Sequence, residues 1–136
     1  MSTFKYNQAK TDFATGLLNW QSADICMAFT GGNYAPDPNH LTLADVGEGN
    51  LIVRDIPLSG RNVVNGICSG TIPAFNAFLQ PTVVVGVLIY VRAGRGGDGT
   101  ARLIYYSDDG VGFPFTPQGF NYVVSFDQTS GGFFEV

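Results

Sequence analysis

Residues 82–91, Thr-Val-Val-Val-Gly-Val-Leu-Ile-Tyr-Val, are apolar at almost every position and carry no charge. A strand built from them would shun water on both faces, which predicts a central strand covered on two sides. The run is about half the length a helix needs to cross a bilayer. Glycine-rich residues 93–99 lead into Arg102-Leu103-Ile104-Tyr105-Tyr106, predicting an antiparallel partner across a hairpin tip. Asp108-Asp109-Gly110 reads as a turn and Thr116-Pro117-Gln118-Gly119 as a corner, because these residues suit tight backbone geometry. Phe120, Tyr122, Val124 and Phe126 then alternate with Asn121, Val123 and Ser125, the two-residue period of a strand. Residues 133–136 read as a last strand behind Gly131-Gly132.

The first half is more mixed. Tyr6, Ala9, Phe13 and Leu17 recur at three- and four-residue steps, predicting an amphipathic helix over 5–18 that packs on the sheet. Ser2 or Thr3 would cap it, and Lys10 and Asp12 would lie on its wetter side. Residues 23–29 read as a strand entering the core behind Trp20. Gly31-Gly32-Asn33 and Ala35-Pro36-Asp37-Pro38-Asn39 predict a long loop, since two prolines and a glycine pair deny regular structure. Residues 40–46 suit one helical turn capped by Asn39 and broken by Gly47-Glu48-Gly49-Asn50. Strands over 51–56 and 62–68 would join through Pro57-Leu58-Ser59-Gly60. Residues 69–81 read as irregular, with Phe75, Phe78 and Leu79 over one end of the core. So many short strands separated by turn signals predict a mainly β fold. The expected form is an antiparallel β-sandwich or barrel, jelly-roll-like, with one N-terminal amphipathic helix and a single domain over 1–136.

A chain of 136 residues can bury a core without covalent staples. Only 13% of it is charged, against about 25% in ordinary soluble domains. That scarcity suits either a neutral polar surface or a subunit partly covered by neighbours, whose interface cores are poor in charge. The net charge is −4 and the seven basic residues are scattered, so the basic footprint that nucleic acid requires is missing. The opening Met-Ser-Thr-Phe-Lys-Tyr-Asn-Gln lacks a signal-peptide layout, which predicts a soluble chain made in the cytoplasm, with no membrane partner.

Candidate chemistry is sparse. Residues 94–100 lack the Gly-Lys-Ser/Thr ending of a phosphate loop. Asp98, Asp108 and Asp109 do not have the spacing of a calcium loop. Cys26 and Cys68 stand far apart without a paired motif and read as buried thiols. His40 is the single histidine and sits in the proline-rich loop, and no motif around Cys26 or Cys68 would make either a nucleophile beside it. The expectation is no enzyme, no cofactor and no metal site. The aromatic residues Tyr105, Tyr106, Phe113, Phe115, Phe120 and Tyr122 crowd the C-terminal half. They suit strands and a core, with a carbohydrate platform or a subunit interface as the other uses.

The order of landmarks carries one further signal. Gly16-Leu17-Leu18-Asn19-Trp20 is followed at once by Asp24-Ile25-Cys26-Met27-Ala28-Phe29, then by Tyr34-Ala35-Pro36-Asp37-Pro38-Asn39-His40. Asp55-Ile56-Pro57, Gly60-Arg61-Asn62-Val63-Val64-Asn65-Gly66, Val87-Leu88-Ile89-Tyr90 and Gly112-Phe113-Pro114-Phe115 complete the series. This succession resembles a family of small tailed-bacteriophage virion structural proteins over nearly the whole chain. The resemblance implies a capsid decoration (cement) subunit in the virion, made in the host cytoplasm. Its implied partners are itself, as a homotrimer, and the major capsid protein or another virion structural protein. A tail, collar or fibre-associated piece, or a carbohydrate-binding module of the host-recognition apparatus, is the alternative. Termini and long irregular loops are where β scaffolds carry function, so the candidate assembly contacts are Phe4, Tyr6, Tyr34, Pro36, Asp37 and Pro38.

Overall fold

The apolar strands predicted from the pattern assemble into the middle of a five-stranded antiparallel sheet. The computed structural model describes residues 3–65, 67–71, 83–92, 95, 97–108 and 134–135. The sheet has the order β1 (Thr3–Lys5), β7 (Leu103–Ser107), β6 (Val84–Val91), β2 (Ile25–Gly31) and β3 (Leu51–Pro57). A second antiparallel sheet has the order β4 (Ser59–Val64), β5 (Ile67–Thr71) and β8 (Phe134–Glu135). Helix α1 (Asn7–Thr15) follows β1, and the single turn α2 (Leu43–Val46) precedes β3. The chain is therefore mainly antiparallel β with a short N-terminal helix, and among the described residues the sheets do not close into a barrel.

β6 occupies the centre that its two-sided apolar pattern demands. Val84 and the run from Val87 to Tyr90 are buried, and β6 pairs with β2 through Cys26↔Tyr90 and Ala28↔Leu88 and with β7 through Leu88↔Tyr106. Gly86 has a packing reason. A Cβ there would stand 2.5 Å from the Tyr106 hydroxyl oxygen, so the absence of a side chain lets the phenol lie against the strand.

Several boundaries differ from the expectation. The helix covers Asn7–Thr15 rather than 5–18, because Phe4 and Tyr6, two residues apart, belong to the extended segment around β1. It stops at Gly16, whose φ of 80° is a left-handed conformation that ends helices. Thr3 consequently lies in β1, not at a cap, and no side chain caps the helix start. Leu17, expected on the apolar face, is 72% exposed. Asp12, expected in water, is buried, with its carboxylate 3.3 Å from Arg102 Nε and 3.1 Å from Gln8 Nε2.

The strand expected over 62–68 is instead a hairpin. β4 and β5 pair as Val63↔Cys68 and Val64↔Ile67, with Asn65 at φ 54° between them. Asn-Gly between apolar residues is a strong two-residue hairpin signal. The expected 57–60 turn shrinks to Leu58, which is buried and donates its N–H to the Ile25 carbonyl at 3.1 Å. Here the chain passes from one sheet to the other. The expected Asn39 cap of α2 is replaced by Thr42.

The seam between the sheets is polar as well as apolar. Arg61 donates to the carbonyls of Trp20 (2.8 Å), Leu58 (2.5 Å), Gln21 (3.3 Å) and Ala23. Trp20 Nε1 donates to the Ser69 carbonyl at 2.8 Å, and Gln21 Nε2 to Asn62 Oδ1 at 2.9 Å. One guanidinium thus satisfies carbonyls that a bend in the chain leaves without ladder partners. On β3, Arg54 and Asp55 bulge opposite Ala28, with Asp55 at φ 61°. Asp55 N–H donates to Tyr90 Oη at 2.6 Å, and Tyr90 Oη donates to Asp55 Oδ1 at 2.7 Å, which fixes the bulge.

The corner at 116–119, the strand over 120–126 and the aromatic residues Phe113, Phe115, Phe120 and Tyr122 lie outside the described residues. So do Phe75, Phe78, Leu79, Asp109 and most of 69–81, although Ser69 to Thr71 belongs to β5.

Candidate assembly surface

Two segments that the sequence keeps 28 residues apart meet where the hydroxyls of Tyr6 and Tyr34 hydrogen-bond at 2.7 Å. β1 is built by pairing with β7 (Phe4↔Tyr106, Lys5↔Tyr105). This places Phe4 against the rings of Tyr6 and Tyr106, with centroids 5.1 and 5.7 Å away. Tyr34 reaches in from the loop after β2 and meets Tyr106 edge-on at 5.6 Å. Edge-to-face packing of this kind adds to the stabilisation that burial provides. His40 closes the group, its Nδ1 lying 3.0 Å from the Tyr34 hydroxyl.

The loop itself is pinned at its far end. Asn7 N–H donates to the Pro38 carbonyl at 2.8 Å, and Asn7 Nδ2 donates to Asn39 Oδ1 at 2.7 Å. Asp37 makes a local turn, accepting from Asn39 N–H at 2.9 Å on its carboxylate and from His40 N–H at 3.0 Å on its carbonyl. The six residues singled out in the sequence therefore divide. Tyr6 and Tyr34 are buried and act as fasteners, which corrects the expectation that they face a neighbour. Phe4 and Pro36 are half-buried, and Asp37 and Pro38 are exposed. Asn7, Asn39, His40 and Tyr106 were missed. The two-residue spacing of Phe4 and Tyr6 was the available sign of a strand face, while the Asn7–Asn39 contact has no local signal.

The tyrosine hydroxyls of this cluster are held in their neutral form. Burial, then the bond to Tyr34, pushes the Tyr6 phenol far above its ordinary value, and burial also raises Tyr34. Tyr106 is pushed up to about 12 by burial and by the charge of Asp108. Just beyond the loop, Asp45 accepts from Leu41 N–H at 2.7 Å and Thr42 N–H at 3.2 Å, which holds its carboxyl below the usual range.

The remaining candidate groups are placed as follows. Cys26 and Cys68 are free and buried, and burial raises both thiols, Cys68 to about 11. That shift opposes the thiolate a nucleophile requires. Among the described residues no three His, Cys, Asp or Glu side chains gather as a metal site, and no helix is long and apolar enough to cross a membrane. The glycine-rich 93–99 region connects β6 to β7 and holds a short 3₁₀ turn, Gly97–Thr100, where the Thr100 hydroxyl donates to the Gly97 carbonyl at 2.7 Å.

Comparison with protein-family models, curated proteins and solved structures finds no match to this chain.

Proposed function

We propose that the chain is a structural protein of a tailed-bacteriophage virion, a capsid decoration subunit that acts as a symmetric homo-oligomer, most simply a trimer. One observation carries the reading: the N-terminal strand and the 32–40 loop are zipped into a single surface, with Asp37 and Pro38 outward and Phe4 and Pro36 at its margin. A bracing subunit needs contact groups on a backbone that does not yield. The prolines and the tyrosine cluster supply that stiffness at low entropic cost on binding. The charge-poor composition suits a protein whose surface is covered in an assembly. Jelly-roll-like packing of the two sheets as a sandwich belongs to the same proposal. Many copies, each making modest contacts, stabilise a shell by multivalency.

Quantitative mass spectrometry of purified particles tests this directly. Decoration requires a copy number comparable with that of the major capsid protein. A handful of copies per particle would remove the decoration role and favour a tail or collar position. Light scattering that finds only monomer at high concentration would overturn the preformed trimer. Asp37→Asn, which keeps a side-chain acceptor for the Asn39 N–H but removes the exposed charge, should lower occupancy on particles while leaving the isolated protein folded.

A further inference from the structure

We propose that the cleft between α1, Leu41-Thr42 and the Gly97–Thr100 turn binds a hydroxylated carboxylate, an acidic sugar being the class that fits. The cleft measures about 460 Å³ and is lined by Gln8, Leu41, Thr42, Gly99, Thr100 and Arg102. Small-ligand sites run from about 300 to 1,000 Å³. Its walls are tied together by backbone bonds, Leu43 N–H to the Ala101 carbonyl at 2.9 Å and Leu103 N–H to the Leu41 carbonyl at 3.0 Å. Thr42 and Arg102 form a bridge between those segments.

Arg102 supplies the anion-binding group. Its Nε lies 3.3 Å from a carboxylate oxygen of Asp12, whose side chain is 4% exposed while that of Arg102 is 46% exposed. A ligand can reach the guanidinium but not the carboxylate behind it. Held through Nε, the guanidinium keeps its terminal nitrogens for a second, two-pronged partner, and a carboxylate matches that fork. Gln8 Nε2 is committed to Asp12 Oδ1 at 3.1 Å, which leaves the amide oxygen as an acceptor for a ligand hydroxyl. The Thr42 hydroxyl oxygen accepts from the Asp45 N–H as the cap of α2, which leaves its O–H to donate to a ligand, and Leu41, 51% exposed, offers an apolar wall for the C–H face of a ring. Fork donors, hydroxyl-bonding groups and an apolar wall together describe a sugar acid better than a neutral sugar or a bare anion.

The test is an amide NMR titration of the full chain with D-glucuronate, D-glucose and acetate. Glucuronate should give saturable shifts at Leu41, Thr42, Gly99 and Thr100, with glucose and acetate at least tenfold weaker. Arg102→Lys retains a cation for Asp12 but loses the fork, and should weaken glucuronate at least tenfold. Gly99→Leu adds a bulky side chain to the cleft wall while leaving Arg102 itself in place. Gly99 has no positive φ, and a Cβ there meets nothing within 4 Å, so this variant should fold normally and lose the shifts. Absence of saturable shifts in the parent chain overturns the proposal. So does equal binding of glucose or acetate, or undiminished glucuronate binding in a folded Gly99→Leu protein.

Discussion

The centre of the larger sheet and the seam between the two sheets are held by different forces. In β2, β6 and β7 the buried side chains are almost all apolar, and the ladder bonds satisfy the backbone within the sheet. At the seam the chain turns from β3 through Leu58 into β4, and Arg61 gathers carbonyls from two separate stretches, residues 20–23 and Leu58. The first region draws on surface removed from water, which many side chains share. The second concentrates its stabilisation in one guanidinium and one indole, so a single change there has no neighbour to compensate. The tyrosine cluster is intermediate: apolar by area, yet positioned by hydroxyl bonds.

That contrast can be broken experimentally. Leu88→Ala, at a fully buried position between Ala28 and Tyr106, should cost about 2–5 kcal/mol in denaturant unfolding. Arg61→Met should cost about 2 kcal/mol through lost charge-assisted bonds. Arg61→Lys should recover little of it, because a point charge cannot span the carbonyls. A cost for Arg61→Met no larger than that of an ordinary surface change would show the seam to be held by apolar contact alone. Tyr6→Phe should cost about 1 kcal/mol, by loss of the bond to Tyr34, and should broaden the loop amides of residues 34–40 in NMR spectra.

The smallest effect is electrostatic. The Asp45 carboxyl lies below its ordinary value of 3.8 because two backbone N–H groups favour the charged form. A carboxyl with a depressed folded pKa contributes stability above its unfolded value, and that contribution is lost as the pH falls through the lower folded pKa. Asp45→Asn should therefore flatten the unfolding midpoint below about pH 4 while changing its slope little near neutrality. An unchanged acid limb would show that the two N–H bonds do not hold the carboxylate in solution.

The legible parts of the chain were those where pattern and burial coincide. The continuous apolar run of β6 had to be central, since neither of its faces could meet water, and the partner strand across the glycine-rich region followed from it. Asn65-Gly66 was legible too, yet the run Asn62 to Cys68 concealed the turn behind apolar neighbours. The N-terminus misled for a physical reason. Tyr6, Ala9 and Phe13 carry a helical period, but the spacing of Phe4 and Tyr6 equally fits a strand. Pairing with β7 decided between them, a long-range contact that no local window contains. Asp12 misled in the same way, because the cation that permits its burial lies 90 residues away at Arg102.

Antiparallel strands around one apolar run, two buried thiols and a proline-braced loop were all readable from residue order alone. Hydrophobic burial is non-directional and is written into composition and period. Three-dimensional packing joins β1 and the 32–40 loop into one surface, lets Tyr6 and Tyr34 fasten it from within, and brings Arg61 and the Nε of Arg102 to partners distant in sequence. Hydrogen bonds and ion pairs depend on distance and angle, and the fold sets both only once the sheets are in place.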